Sequence, residues 1–465
     1  MIRFGTSGWR AVLGEEFTFD NARRVVTAIA RAAKASGDVS KGIVVASDTR
    51  FLNERFVAEA ARVLLREGVK PLVGNRDVPT PVVAFTIRRL SSLGGINFTA
   101  SHNPPEYNGI KFSTADGAPA LPAVTKAIEA EIAKTTDADA ASAPKAVYDE
   151  IDPCAPYLAR LTELVSVETL RKAKLRVGVD ARFGTSRGYL DTFLRDAGVD
   201  VAPLNTHRDP MFGGLSPQCD APNLVELGKR VVAEGRVLGL ATDGDADRFG
   251  VLDADGVYVN PNLCLMLLAD RLLARGNPGG KGIARSVATT HGLDAIAAHH
   301  GVPLHATPVG FKFIGELLLA GKILMGGEES AGFTMDGHVP EKDGILADLL
   351  LAELVAETGQ TLKSLIDALF RKVGPFISKR ADAHLDPALA AQLSKRLAQD
   401  PTTFAGLAVE SIDRTDGQKL LLSDRRWILF RPSGTEPVVR IYAEAPAEAE
   451  TDRLLTEAKS YVLEG

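Results

Sequence analysis

Over the first three quarters of the chain, strand-length apolar runs alternate with amphipathic helical stretches, and that alternation leaves few folds open. Ile43–Ala46, Arg176–Asp180 and Val237–Ala241 read as strands. Glu54–Glu67, with apolar Phe56, Val57, Ala60, Ala61, Leu64 and Leu65, reads as a helix, as do Tyr189–Ala197, Cys264–Leu273 and Leu346–Val355. Strand and helix periods in turn point to an α/β protein. Past Val373–Pro375 the pattern changes to strands around a helix, clearest at Trp427–Phe430 and Val438–Ala443. At about 150 residues per domain, 465 residues make three domains or four small ones. Thr135–Pro144, poor in large apolar residues, reads as a linker, and a second boundary falls near Asp253–Gly256. These breaks place domains at 1–145, 146–254, 255–372 and 373–465.

Composition mainly excludes. Hydrophobic residues at 45% and charged residues at 24% are ordinary for a globular protein. A net charge of −5 with scattered basic residues argues against a nucleic-acid-binding face. Cys154, Cys219 and Cys264 lack CxxC spacing, which fits a reducing cytoplasm rather than a disulfide scaffold or zinc site. The N-terminus has no signal-peptide pattern, and no apolar run approaches the ~20 residues of a membrane span. The expectation is a cytoplasmic protein with no nucleic-acid or membrane partner.

Four expected strands run directly into polar loops. Gly95–Ala100 leads into Ser101-His-Asn-Pro-Pro, Leu238–Thr242 into Asp243-Gly-Asp-Ala-Asp-Arg248, Lys322–Met325 into Gly326-Gly-Glu-Glu-Ser-Ala, and Trp427–Phe430 into Arg431-Pro-Ser-Gly-Thr-Glu-Pro437. In open α/β sheets, ligands bind at the carboxyl ends of strands, so the loops are expected to share one cleft.

Asp243, Asp245 and Asp247 alternate, so extended backbone would send their carboxylates to one side. Three hard oxygens there suit Mg²⁺; the competing reading is a solvated acidic turn. The calcium EF-hand pattern fails, since Arg248 and Ala254 stand where it needs Gly and Glu. Arg248 beside three aspartates is a candidate phosphate partner. Pro104 and Pro105 make the Ser101 segment a tight turn. Ser101 is either simply a turn residue or a nucleophile with His102 or Lys111 handling protons. Arg431, Ser433, Gly434, Thr435 and Arg440 form a candidate anion cradle. Glu328, Glu329 and Ser330 offer partners for sugar hydroxyls.

Taken together, Thr99–Lys111 (TASHNPPEYNGIK), Asp243–Arg248 (DGDADR), Gly327–Gly332 (GEESAG) and Arg431–Pro437 (RPSGTEP) resemble the signature loops of the α-D-phosphohexomutase superfamily, in its order. Phe4–Arg10 (FGTSGWR) resembles its opening segment, so the likeness spans the chain. The resemblance implies three related α/β domains and a TATA-binding-protein-like α+β domain around a central cleft. It makes them, in order, the phosphoserine, metal-binding, sugar-binding and phosphate-binding domains. It implies that Ser101 is phosphorylated and, with Asp243, Asp245 and Asp247, holds Mg²⁺. Arg10, Lys111 and Arg248 match positions near that phosphoserine, and Arg431, Ser433, Gly434, Thr435 and Arg440 match the grip on the sugar's far phosphate.

The implied reaction moves a phosphoryl group from Ser101 to a hexose monophosphate. Glucose 1,6-bisphosphate is the intermediate and activator, and the second phosphate returns to Ser101 after the sugar turns over. Lys111, His102 and His338 are the candidate proton handlers. GEESAG and Asp336–Gly344 (DGHVPEKDG) resemble phosphoglucomutases, bringing His338 and Lys342 to the site with Glu328 and Ser330. Glucose phosphate is therefore the expected substrate. A phosphomannomutase or dual-specificity enzyme is the alternative, with phosphoglucosamine mutase further off. A phosphatase with an aspartate nucleophile and an inactive sugar-phosphate binder are the readings from other classes. A monomer or homodimer is expected.

Overall fold

The computed structural model describes residues 2–5, 8–142, 144–145, 147–433 and 438–463. The chain divides into two compact units: Met1–Pro261 with Gly315–Gly321 and Ser330–Lys363, and Asn262–Ile314 with Lys322–Glu329 and Ser364–Gly465.

The first unit contains two sheets. One runs Trp9–Val12, Tyr107–Thr114, Gly94–Phe98, Ile43–Ser47, Pro71–Gly74, Glu150–Ile151. Ile43–Ser47 lies in its middle, buried along its length, with Pro71–Gly74 and Gly94–Phe98 parallel on either side. Tyr107–Thr114 then folds back antiparallel on Gly94–Phe98. The second sheet repeats this plan. Arg176–Asp180 lies between parallel Asp200–Leu204 and Leu238–Thr242, and Phe249–Leu252 returns antiparallel on the last. Strands buried on both faces read as continuous apolar runs, which is why they stand out in the sequence.

In the second unit the same three-strand plan appears again, with Gly282–Ser286 between parallel Leu304–Thr307 and Ile323–Glu328. The remainder is a different design: an antiparallel sheet ordered Ile377–His384, Val438–Ala445, Arg426–Pro432, Gln418–Leu422, Leu407–Asp413, Thr403–Phe404. One face buries Ile428, Phe430 and Ile441 against helices Pro387–Leu397 and Glu448–Leu463. The other face presents Trp427, Leu429 and Tyr442, which pack on Val287 and Ala288 behind the three parallel strands. Three α/β domains and a C-terminal domain of another type are therefore present. Among the described residues, no helix is long and apolar enough to cross a membrane.

The expected helices and strands are present with ends shifted by a few residues, but two expectations need correction. Thr135–Pro144 is not a free linker: Asp137–Ala140 forms a helical turn, and Asp139 pairs with Arg31 at 2.6 Å. The acidic loop is not extended. Asp243 N–H donates to the Arg248 carbonyl at 3.2 Å, and Ala246 sits at φ +58°, so turns rather than alternation gather the carboxylates.

Candidate active site

In the first unit, the polar loops follow the Gly94–Phe98 and Leu238–Thr242 strands. Ser101 sits just past the first at φ +52°, a left-handed conformation uncommon outside glycine. Its N–H donates to Thr99 Oγ1 at 2.8 Å. Its hydroxyl donates to Asp243 Oδ2 at 3.2 Å and lies 3.4 Å from His102 Nδ1. Asn103 accepts from Arg10 Nη1 at 2.7 Å, tying the opening segment to the same turn.

Asp243, Asp245 and Asp247 are buried, and each offers a carboxylate oxygen within 4.8 Å of the others. Lys111 reaches Asp245 Oδ2 at 2.6 Å and Asp247 Oδ2 at 2.9 Å, and Lys342 lies 3.3 Å from Asp247 Oδ2. Thr80, opening the helix Thr80–Leu90, donates its hydroxyl to Asp245 Oδ2 at 2.5 Å and its N–H to the Asp245 carbonyl at 2.9 Å. Among the described residues, buried Asp245 Oδ1 and Asp247 Oδ1 have no hydrogen-bond partner. Two unpartnered carboxylate oxygens beside a third carboxylate fit a small, hard divalent cation, so the cluster can bind a metal.

The charges shape one another. Burial, then the Asp245 and Asp247 charges, push the Asp243 carboxyl well above the usual carboxylate range. For Asp247, burial acts upward, but Lys111, Lys342 and Arg248 outweigh it and hold the group low. Burial presses on the Lys111 ammonium too, yet Asp245 and Asp247 raise it above its ordinary value. The Arg248 charge, burial and the Arg10 charge hold His102 well below its ordinary value, so its ring is neutral at pH 7.

His338 is fully buried; its Nε2 lies 2.7 Å from Asp343 Oδ2, which also accepts from the Tyr157 hydroxyl at 2.6 Å. Its ring is thus engaged with Asp343 rather than Ser101. Asp343 also caps the helix Gly344–Thr358, accepting from Leu346 N–H at 2.9 Å. Gly344 N–H donates to the Ala246 carbonyl at 3.2 Å, and a Cβ on Gly344 would meet the Arg248 carbonyl oxygen at 2.3 Å. That helix can abut the acidic loop only through a glycine. Ser330, half-buried, lies in this unit as well.

In the second unit, Glu328 ends the strand Ile323–Glu328, and its Oε1 accepts from Gly310 N–H at 2.7 Å. The Glu329 carboxylate accepts from Ser286 at 3.2 Å and Thr289 at 3.3 Å. Arg431 and Arg440 face each other across the paired strands Arg426–Pro432 and Val438–Ala445. Like charges directly opposite are unfavourable unless an anion joins them. Asp416 offsets part of this, accepting from Arg431 Nε at 2.9 Å and from Val309 N–H at 3.0 Å. Ser433 N–H donates to the Val438 carbonyl at 2.8 Å, closing the loop's base. Gly434 and Thr435 lie outside the described residues.

Phosphoglucomutase/phosphomannomutase family models match the chain in succession: α/β/α domain I over residues 1–139, domain II over 155–256, domain III over 260–373 and the C-terminal domain over 381–459. A phosphoglucomutase/phosphomannomutase of Thermococcus kodakarensis is 32% identical, over 96% of this chain and 95% of that protein. The chain belongs to the phosphoglucomutase/phosphomannomutase family. A phosphoglucosamine mutase of Mycolicibacterium paratuberculosis is 30% identical over 99% of this chain and 98% of its own. The crystal structure of a Thermus thermophilus protein with a provisional phosphomannomutase name superposes with TM-score 0.86. It shares 35% identity and covers 100% of this chain and 99% of that one.

The chain is thus a phosphomutase of the α-D-phosphohexomutase superfamily. The first unit gathers Arg10, Ser101, His102, Lys111, the three aspartates, Arg248 and Lys342, joined by direct contacts or neighbouring charges. The second holds Glu328, Arg431, Ser433 and Arg440. Sequence reasoning missed the groups that hold these phosphohexomutase loops in place: Asp48, Arg50, Thr80 and Asn97. Asn97 donates to Thr80 Oγ1 at 3.0 Å. Asp48 and Arg50 follow the Ile43–Ser47 strand, so the strand-end rule applied to the other loops would also have found them.

Proposed function

We propose that this phosphohexomutase interconverts glucose 1-phosphate and glucose 6-phosphate through phospho-Ser101 and glucose 1,6-bisphosphate. The observation that carries the reading is the Ser101 hydroxyl, held in a strained turn 3.2 Å from an Asp243 carboxylate oxygen beside two further aspartates. Asp243, Asp245, Asp247 and the phosphate on Ser101 would hold Mg²⁺, which when bound supplies charge neutralisation at the serine oxygen and the transferring group.

The chain's own groups supply the rest. Arg10 and Arg248 face the transferring phosphoryl oxygens as fixed cations, the form of stabilisation phosphoryl transfer needs most. As the bond from phosphorus to Ser101 Oγ breaks and one to a sugar hydroxyl forms, the hydroxyl proton must leave. His102, whose Nδ1 lies 3.4 Å from Ser101 Oγ, is the group placed to accept it. Lys111, kept protonated by Asp245 and Asp247, is the donor toward the released serine oxygen. His338 acts through Asp343, orienting the helix beneath the acidic loop. Glu328, Ser330 and Lys342 are the groups assigned to the ring hydroxyls. Arg431, Ser433, Gly434, Thr435 and Arg440 bind the sugar's distal phosphate.

The glucose reading is supported by the GEESAG loop, where Glu329 is held by Ser286 and Thr289. Mannose phosphate as a second substrate is the competing reading, favoured by the double name of the Thermococcus relative. A coupled assay of glucose, mannose and glucosamine 1-phosphates with Mg²⁺ and trace bisphosphate tests this. Preference for glucose is the expected result; comparable turnover of all three sinks the assignment. Ser101→Ala is expected to lower turnover at least ~10³-fold and to abolish the phosphopeptide in mass spectra.

A further inference from the structure

Arg50 is buried, 1% exposed, and every one of its side-chain N–H groups is used. Nε donates to Asp48 Oδ2 at 3.0 Å. Nη1 donates to the carbonyls of Pro104 at 2.7 Å and Tyr107 at 2.9 Å. Nη2 donates to those of Ser101 at 2.8 Å and Asn103 at 2.6 Å. Four of the five acceptors are backbone carbonyls of a single segment, the turn from Ser101 to Tyr107. Asp48 closes the frame from the other side: the same oxygen that takes Arg50 Nε takes the Thr99 hydroxyl at 2.6 Å, and Thr99 Oγ1 receives the Ser101 N–H.

The face of the guanidinium is covered as well. Its carbon lies 5.1 Å from the ring centroid of Phe212, a cation–π contact. Phe212 is fully buried at φ +51°, itself a strained position for a bulky residue. The turn and the residue sealing its anchor therefore both hold unfavourable backbone, which persists only where surroundings over-determine it.

We propose that Arg50 is a positioning residue for phosphoryl transfer, fixing the left-handed Ser101 turn so that Oγ stays at Asp243. The proposal rests on Ser101 being the phosphoryl carrier. A point charge cannot replace the guanidinium, because lysine has three donors on a flexible stem and no planar fork. Released from four anchored carbonyls, Ser101 relaxes out of the left-handed region and the in-line geometry is lost. Displacement of a reacting atom by about 1 Å costs on the order of 10²-fold in rate. Arg50 touches neither sugar nor transferring phosphate, so substrate binding should survive.

The test uses the full-length enzyme with Mg²⁺ and Arg50→Lys. The expected result is a fall in kcat of about 100-fold with KM within about threefold. Amide exchange is expected to accelerate in the Ser101–Tyr107 peptide while the Trp9–Val12 and Arg176–Asp180 strands keep their protection. A kcat near the parent's, a loss confined to KM, or unchanged exchange in the turn overturns the proposal. If Arg50→Lys does not fold, Phe212→Leu decides, since it leaves all five acceptors in place. About a tenfold loss in kcat at unchanged KM supports the proposal, and parental kcat overturns it. Ser101→Ala runs alongside: turnover surviving there sinks the phosphoserine reading, whereas the exchange comparison still decides what Arg50 does.

Discussion

Lys111 sits between two aspartates at 2.6 and 2.9 Å, where removing its charge takes away the one cation bonded to both buried carboxylates and leaves Asp247 to Lys342 and Arg248. Lys111→Met is expected to lose about 3–5 kcal/mol in metal-free denaturant unfolding. Added Mg²⁺ should raise the midpoint more in the variant than in the parent, because the ion then supplies the missing charge. Asp348 is a different case, buried in the helix Gly344–Thr358 with neither carboxylate oxygen hydrogen-bonded among the described residues. Burial, then the Asp343 charge, raise its pKa well above the ordinary value. The folded chain thus keeps a proton that the unfolded chain gives up near pH 4, so this group lowers stability as pH rises from there through the folded pKa. Asp348→Asn is expected to melt higher than the parent at pH 8, with the gap narrowing toward pH 5; a constant gap refutes the assignment. At this scale the sequence was legible where chemistry repeats a pattern, as in the aspartates and the serine turn. Arg50 was legible only by its place after the Ile43–Ser47 strand, because the carbonyls it bonds have no sequence signature.

Among the elements, the parallel strands were the most legible, because burial on both faces writes a continuous apolar run such as Ile43–Ser47. Short polar pieces were the least. The turn Asp137–Ala140 holds its place through Arg31 and a capping box, contacts from residues more than a hundred positions away in one case and three in the other. The acidic loop also misled, since period-two spacing of Asp243, Asp245 and Asp247 imitates a strand while Ala246 turns left-handed. Gly344 is the point where helix and acidic loop meet. Gly344→Ala is expected to cost about 1–3 kcal/mol from overpacking against the Arg248 carbonyl. The Mg²⁺-induced rise in melting temperature should shrink by more than that loss alone explains. A full metal response in the variant refutes the coupling.

For the whole molecule, each unit carries one of the two tryptophans, Trp9 in the first and Trp427 in the second. Trp427 donates to Glu444 Oε1 at 2.7 Å, which also accepts the His291 N–H at 3.0 Å. Lys419 lies 3.7 Å from the Trp427 ring centroid and donates to the Val287 carbonyl at 2.7 Å. This buried polar set ties the antiparallel sheet to the three-strand sheet. Glu444→Ala takes the acceptor from the buried Trp427 Nε1–H, the part-buried His291 N–H and the Ser378 hydroxyl, and is expected to cost about 2–4 kcal/mol. In a Trp9→Phe background, the Trp427 fluorescence transition should move to lower denaturant by that amount; an unmoved transition refutes it.

The two units are not two consecutive lengths of chain. After Pro261 the chain leaves the first unit, returns for Gly315–Gly321, and returns again for Ser330–Lys363. The helix Gly344–Thr358 packs on the strands Leu238–Thr242 and Phe249–Leu252, which precede it by about a hundred positions. During synthesis, the first unit is therefore incomplete until the ribosome has delivered residue 363, and until then its acidic loop lacks the helix that packs behind it. A gene fragment cut after codon 261 is expected to yield an aggregation-prone chain that recovers solubility on co-expression with the remainder. Exchanging a whole unit with a relative faces the same obstacle, because no single crossover point separates one unit from the other.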